Sequence, residues 1–435
     1  MTTIIAPASA LGGGVAVLRV SGGLCGVIWE TLTDKKLPEP RLAQLVNLYH
    51  PTTKKQLDKA LGLYFKAPHS FTGEDVIEFH VHGGPAIVRG VMEAIKTIDP
   101  TIRLAEGGEF SKRAYLNGKI DLTEAEAIAD LVAAETELQA DLARAQMGGG
   151  LRDLVEGWRA DLVRILAHIE ATIDFVDEED VPPELFDQTT EKLAPLLEAM
   201  NAHLNEATLG ERLREGFVIT VIGAPNAGKS SLVNTLAKRD VAIVSKIAGT
   251  TRDALEIPMI LGGYPVILID TAGLRDTSDT IEEIGIARAR EKAASADIVL
   301  ALFDATQPPD VDTLQQCDAR TVIVQTKGDL TDQRTPITIS TITGENIDQL
   351  VQTISEKLAQ LIVRPKDAPP LLTRARHREA VNEATVHLHR ACRNADIALL
   401  AEDIRQATRA IGRLTGRVDV EDLLDVIFKD FCIGK

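Results

Sequence analysis

Residues 223–230 read Gly-Ala-Pro-Asn-Ala-Gly-Lys-Ser, close to the middle of a chain of 435 residues. The apolar run Phe217–Ile222 precedes them, and Ser231–Leu236, with helical character, follows. A strand, a glycine-bearing loop and a helix in that order make a phosphate-binding loop. The order commits the middle of the chain to a parallel α/β unit. Small residues let the backbone curl until its N–H groups face phosphate oxygens. The cradle takes in Gly223, Asn226, Ala227, Gly228, Lys229, Ser230 and Ser231; Lys229 brings a mobile positive charge and Ser230 a hydroxyl for Mg²⁺. An ordinary glycine turn is the competing reading.

Three further elements weaken that competitor. Asp270-Thr271-Ala272-Gly273 closes a strongly apolar strand, where Asp270 can organise Mg²⁺ through water and the Gly273 N–H can sense a terminal phosphate. Between it and the loop lies Gly249-Thr250-Thr251-Arg252-Asp253, the place for a switch segment with a metal-ligating threonine, here Thr251. Thr326-Lys327-Gly328-Asp329 follows a later strand, as a base-reading loop should. Asp329 can accept both donors of the guanine Watson–Crick edge, which adenine does not offer together. Ser340-Thr341 can support the base through backbone N–H groups. The usual base-reading sequence has asparagine where this chain has Thr326, and threonine keeps a hydroxyl but not the amide. These elements point to GTP and its hydrolysis.

The length suggests two to four domains. Residues 1–118 mix short branched-apolar runs (Val15–Val20, Leu61–Phe65, Asp75–His82) with glycine turns and a proline-led helix, Pro85–Ile95. That is a small α+β domain. From 119 to 213 apolar residues recur every three or four positions, with Thr123 and Glu126 as a capping box. Strands and helices alternate over 214–360, and helical periods return over 361–435. The expected fold is multidomain, α/β and α+β, with one helical domain made from both blocks and the nucleotide domain inserted into it. The acidic stretch Asp177–Asp180 reads as a solvated loop. A net charge of −17 argues against a generally basic nucleic-acid coat but leaves room for a local basic face. Four cysteines, far apart and without metal spacing, fit a reducing compartment. With no apolar run of membrane-spanning length, the expectation is a cytoplasmic chain with no membrane partner.

The chain resembles the MnmE (TrmE) family of tRNA-modification GTPases along essentially its whole length. The resemblance rests on Gly223–Ser230, Gly249–Asp253, Asp270–Gly273 with Leu274-Arg275-Asp276, Gly73-Glu74-Asp75, and the terminal Phe431-Cys432-Ile433-Gly434-Lys435. It implies an N-terminal dimerising, folate-binding domain, a discontinuous helical domain and an inserted Ras-like G domain. It also implies a K⁺-stimulated GTPase that is activated when two G domains meet. Leu274 stands where many small GTPases carry a water-orienting glutamine, and a leucine cannot hydrogen-bond to water. Asn226 is implied as a K⁺ ligand, with carbonyls of Ser245, Ile247 and Thr250 beside it. Read alone, Asn226 could be only a turn residue, the lesser of the two readings. Glu282 is implied as the water-orienting acid, although on its own it is indistinguishable from a solvated acid at a helix start.

The reaction implied by the resemblance installs a carboxymethylaminomethyl or aminomethyl group at carbon 5 of the wobble uridine of tRNA. Its partner is the flavoprotein MnmG (GidA), in a heterotetrameric or larger complex with a homodimer of this chain, and that partner supplies FAD. The one-carbon donor is a reduced folate, methylene- or formyl-tetrahydrofolate, for which Arg19, Glu74 and Lys119 are candidate contacts. The Cys432–Lys435 tail is placed near the modification centre. Cys432 is either an inert apolar residue or a thiolate, its ionisation favoured only if a lysine folds close. Reading the residues without the family leaves an alternative, a GTP-dependent ribosome or RNA assembly factor with no modifying chemistry.

Overall fold

The computed structural model describes residues 2–175, 183–240, 256–270, 294–332, 337–364, 370–394 and 396–418, with Leu424, Ile427, Phe428, Phe431 and Gly434. The chain forms two compact units, one of Met1–Ala129 with Ile411–Lys435, the other of Asp130–Ala410.

In the first unit β1 (Ile4–Pro7), β2 (Val15–Ser21), α1 (Cys25–Thr33), β3 (Gln44–Tyr49), β4 (Gln56–Phe65), β5 (Val76–His82), α2 (Pro85–Lys96), β6 (Arg103–Leu104) and α3 (Glu109–Leu116) follow in order, and α4 (Leu122–Ala133) begins. The strands make one sheet in the order β3-β4-β5-β2-β1-β6. Neighbours are antiparallel except β1 and β6. Strand alternation divides the residues between faces. Ala16, Leu18 and Val20 of β2 and Ile77, Phe79 and Val81 of β5 join Trp29 of α1 and Val88, Val91 and Ile95 of α2 in the core. Arg19, between two core residues of β2, points to the opposite face. Trp29 stacks on Phe79 with ring centroids 5.4 Å apart. Gly62 makes room for it, since a Cβ there would lie 2.5 Å from the Trp29 ring. Cys25 is buried, and desolvation, then the Asp75 charge, push its thiol up to about 12, so it stays neutral in the core.

The start of α4 corrects the sequence reading. Asp121 is the cap: its Oδ1 accepts the Thr123 and Glu124 N–H groups, and the Glu124 carboxylate accepts the Asp121 N–H. The capping box is therefore Asp121 with Glu124, two residues ahead of the expected pair. Thr123 and Glu126 are buried instead. Leu122 and Ala125 pack with Leu424, Phe428 and Phe431 of the C-terminal segment. Gly434 lies against Pro7, where a Cβ would meet the Pro7 carbonyl oxygen at 1.9 Å.

The second unit holds α5 (Glu137–Met147), α6 (Gly150–Phe175), α7 (Pro183–Glu215), α11 (Ala375–Ala391) and most of α12 (Ile397–Thr415), with the α/β module between α7 and α11. The module comprises β7 (Phe217–Gly223), α8 (Lys229–Asp240), β8 (Glu256–Leu261), β9 (Tyr264–Asp270), β10 (Ile298–Asp304), α9 (Val311–Gln315), β11 (Thr321–Thr326) and α10 (Ile347–Leu361). Its sheet order is β11-β10-β7-β9-β8, parallel apart from the β8–β9 hairpin. β7 and β10 are buried along nearly their whole length, as strands covered on both faces must be. The chain runs from β7 to one side of the sheet and then crosses to the other. This puts a topological switch point at the C-terminal end of β7, where open α/β sheets bind ligands. Among the helices, α7 packs on α5, α6 and α11. No helix among the described residues is long and apolar enough to cross a membrane.

Candidate nucleotide-binding site

The loop 223–230 leaves β7 at that switch point and opens α8 at Lys229. Gly223 has φ +150°, and a Cβ on it would sit 2.6 Å from the Leu302 carbonyl oxygen of β10. Asn226 and Gly228 both have positive φ, 65° and 89°. Positive φ at alternate positions turns successive N–H groups inward, the geometry of an anion cradle. The loop sits at the N-terminus of a twelve-residue helix, whose dipole adds to the same field. Lys229 Nζ donates back to the carbonyls of Gly223 and Ala224, at 2.7 and 2.9 Å. Asn226, Ser230 and Ser231 are exposed, and Ala227 is buried.

The base-reading segment follows β11. Gly328 N–H donates to the Ile339 carbonyl, and Ile339 N–H to the Gln325 carbonyl, so residues 337–340 are stitched alongside the end of β11. That brings Ser340 to Asp329, whose carboxylate accepts the Ser340 hydroxyl at 2.6 Å. The same hydroxyl oxygen accepts the N–H groups of Ile342 and Thr343. Asp329 is thereby aimed while remaining exposed. Thr341 follows directly. Thr326, buried, donates its hydroxyl to the Ala227 carbonyl at 2.8 Å. The threonine thus makes a direct brace between base-reading loop and phosphate loop without the amide. Lys327 has φ 59°, and its ammonium meets Asp304 at 2.5 Å.

Asp270 is the last residue of β9, paired in register with Val221 of β7, so its backbone stands at the same end of the sheet as the loop. Ser245, Ile247, Thr250, Thr251, Gly273, Glu282, Cys432 and Lys435 lie outside the described residues.

In the first unit the candidate folate contacts fall into distinct settings. Arg19 Nε lies 2.8 Å from Glu78 Oε1, across the register-matched strands β2 and β5. Its guanidinium is 5.8 and 5.7 Å from the ring centres of Phe71 and Phe110. Glu74 instead accepts from the Ser21 hydroxyl and from Arg113. Arg113 and Arg103 both bind Glu109. Burial raises the Glu109 carboxyl, but the Arg103, Glu106 N–H and Arg113 hydrogen bonds outweigh it and hold the carboxyl below its ordinary value. Lys119 donates to the Pro68 carbonyl at 2.9 Å, its stem against Gly73. Sequence reasoning missed Glu78. Strand alternation puts it on the Arg19 face, and that becomes visible once β2 and β5 are paired.

A phosphate cradle at the head of a parallel sheet, braced to a guanine-reading loop, defines a P-loop GTPase module of Ras-like type. The family model of the MnmE helical domain matches residues 122–432, and that of the GTP-binding protein TrmE N-terminus matches residues 3–119. The tRNA modification GTPase MnmE of Paramagnetospirillum magneticum is 50% identical over 444 residues, covering 100% of this chain and 99% of that protein. Proteins of the same name from Rhodospirillum rubrum and Parvibaculum lavamentivorans are 47% and 45% identical, each covering 100% of this chain and 99% and 100% of theirs. The chain belongs to the MnmE (TrmE) family.

Proposed function

We propose that the protein is a GTPase whose nucleotide cycle serves the modification of tRNA at carbon 5 of the wobble uridine. The observation that carries the reading is the Thr326–Ala227 brace, which joins a formed phosphate cradle to a formed guanine-reading loop in a chain matched end to end by proteins named as tRNA modification GTPases. On nucleotide binding, Lys229 exchanges its contacts with the Gly223 and Ala224 carbonyls for phosphate oxygens. Asp329 takes the guanine edge. Ser230, Thr251 and Asp270 would hold Mg²⁺. Asn226, exposed on the loop, would hold K⁺ with the carbonyls of Ser245, Ile247 and Thr250. These cations supply positive charge to the phosphates as negative charge shifts in the transition state. Glu282 orients water once two G domains meet, a role Leu274 cannot fill.

The residues of the first unit fit a reduced folate. Phe71, exposed beside Arg19, gives an apolar surface, Arg19 and Glu78 give polar groups for the pterin, and Lys119 a cation for the glutamate tail, while the buried Phe110 backs the Arg19 guanidinium from the core. Glu74 braces this region through Arg113, and Cys432 and Lys435 belong to the tail that serves the modification centre. We assign residues 1–118 to folate binding and dimerisation, 119–213 and 361–435 to the helical domain, and 214–360 to the G domain. The working assembly is a homodimer in the cytoplasm, joined to the FAD-bearing partner MnmG and to tRNA.

The test is modification of undermodified tRNA with MnmG, FAD, methylene-tetrahydrofolate, GTP, Mg²⁺ and K⁺, followed by nucleoside analysis. An aminomethylated uridine that depends on both this chain and GTP supports the reading. Its absence beside brisk GTP hydrolysis and an active partner counts against it. Hydrolysis is expected to run faster in K⁺ than in Na⁺, and equal rates in the two salts overturn the K⁺ assignment.

A further inference from the structure

Two strands end side by side below the base-reading loop. Asp304, the last residue of β10, is the register partner of Thr326, the last residue of β11. Lys327 follows in the left-handed region, φ 59°, which a residue with a Cβ adopts at a cost and keeps only when its surroundings hold it. The holding contact is to Asp304, at 2.5 Å. The Asp304 carboxylate is itself anchored, because its Oδ1 accepts the Thr306 N–H at 2.9 Å and the Thr306 hydroxyl at 2.6 Å. Oδ2 is left facing the lysine. One oxygen is thus tied to its own turn and the other to the loop that reads the base.

We infer that Asp304, outside the phosphate, switch and base-reading motifs, is a positioning residue for guanine-nucleotide binding, fixing Lys327 and through it the loop that presents Asp329. The inference rests on the guanine reading of this site. The opposite role, in which the pair withholds Lys327 from the nucleotide, is disfavoured by the chemistry of the ammonium. It carries three donors, and Asp304 takes one, so the others stay available to a ligand while the stem is held still. Asp304 touches no base or phosphate in this role; it acts through Lys327.

The experiment is a double-mutant cycle on the full chain, read by release of a fluorescent GDP analogue. Loss of a charge-assisted contact of this kind predicts roughly tenfold faster release from Asp304→Ala, with Asp304→Asn intermediate because it keeps an acceptor oxygen. The melting temperature of the nucleotide-free protein should stay within about 2 °C of the unaltered chain. In a Lys327→Ala background the Asp304→Ala change should add nothing. Unchanged or slower release from Asp304→Ala overturns the inference, and so does the same acceleration with Lys327 removed, which would mean Asp304 acts through its Thr306 turn. Failure of the unaltered chain to bind the analogue would instead overturn the guanine reading itself.

Discussion

At the scale of single residues, Thr326 carries the most information. Its hydroxyl has one proton, with the Ala227 carbonyl at 2.8 Å and the Phe303 carbonyl at 3.3 Å, and the shorter contact is the one that crosses to the phosphate loop. Valine has the same shape without the donor, so Thr326→Val tests the hydroxyl alone. Leaving a buried carbonyl without its donor costs about 1–2 kcal/mol, and GDP affinity should fall roughly five- to thirtyfold. Thr326→Asn restores an amide at the position and should hold affinity closer to the unaltered chain. Titration with labelled GDP decides it. Equal affinity for Thr326→Val would show that the brace does not shape the site.

At the scale of elements, the charges around α3 link folding to pH. Glu109, in the first turn of the helix, binds Arg103 from β6 and Arg113 one turn on. Its folded-state carboxyl lies below the ordinary value, so the ionised form is favoured by folding. For a depressed carboxyl the stabilisation is fully present above the unfolded value and is lost as pH falls through the lower folded value. Glu109→Gln should therefore melt lower than the unaltered chain at neutral pH, and the two melting curves should converge in the acid limb. Melting temperatures that differ by the same amount from pH 7 down to pH 3 would exclude this linkage.

Elements were also where the sequence was most legible. The runs Val15–Val20 and Leu61–Phe65 lie within β2 and β4, because a local period shows which face a strand or helix buries. The phosphate loop was legible for the same reason, since strand, glycines and helix are adjacent in sequence. Partners far apart were not. Arg19 finds Glu78, 59 residues away, and not Glu74, because the β2–β5 register decides it and no local pattern fixes a register. The cap of α4 slipped by two residues because Asp121 and Thr123 both carry cap-forming side chains, each with a glutamate three residues on, and only the backbone geometry chooses between them.

At the scale of the molecule, the second unit has to hold an inserted module by two chain crossings, and both converge on one carboxylate. Arg214, three residues before β7, donates through Nε to Asp130 Oδ1 at 3.1 Å. Arg374, the residue preceding α11, donates through Nη2 to the same oxygen at 2.6 Å. All three side chains are largely buried, at 17–25% exposure, so solvent screens the cluster only in part. Asp130→Ala leaves two guanidiniums facing each other without their shared acceptor, which should cost about 2–3 kcal/mol, toward the lower end for breaking a buried pair. Asp130→Asn can keep a carbonyl oxygen where Oδ1 stands and should lose less. Calorimetry should show the transition of this unit moved down for Asp130→Ala and moved less for Asp130→Asn. The ordering matters more than the size: a carboxylate that acts as a shared hydrogen-bond acceptor is partly replaced by an amide, whereas one that acts only by charge is not. If both variants melt with the unaltered chain, the crossings are held by packing, such as that of Gly210 of α7 against the Leu372 backbone, and Asp130 is not the joint.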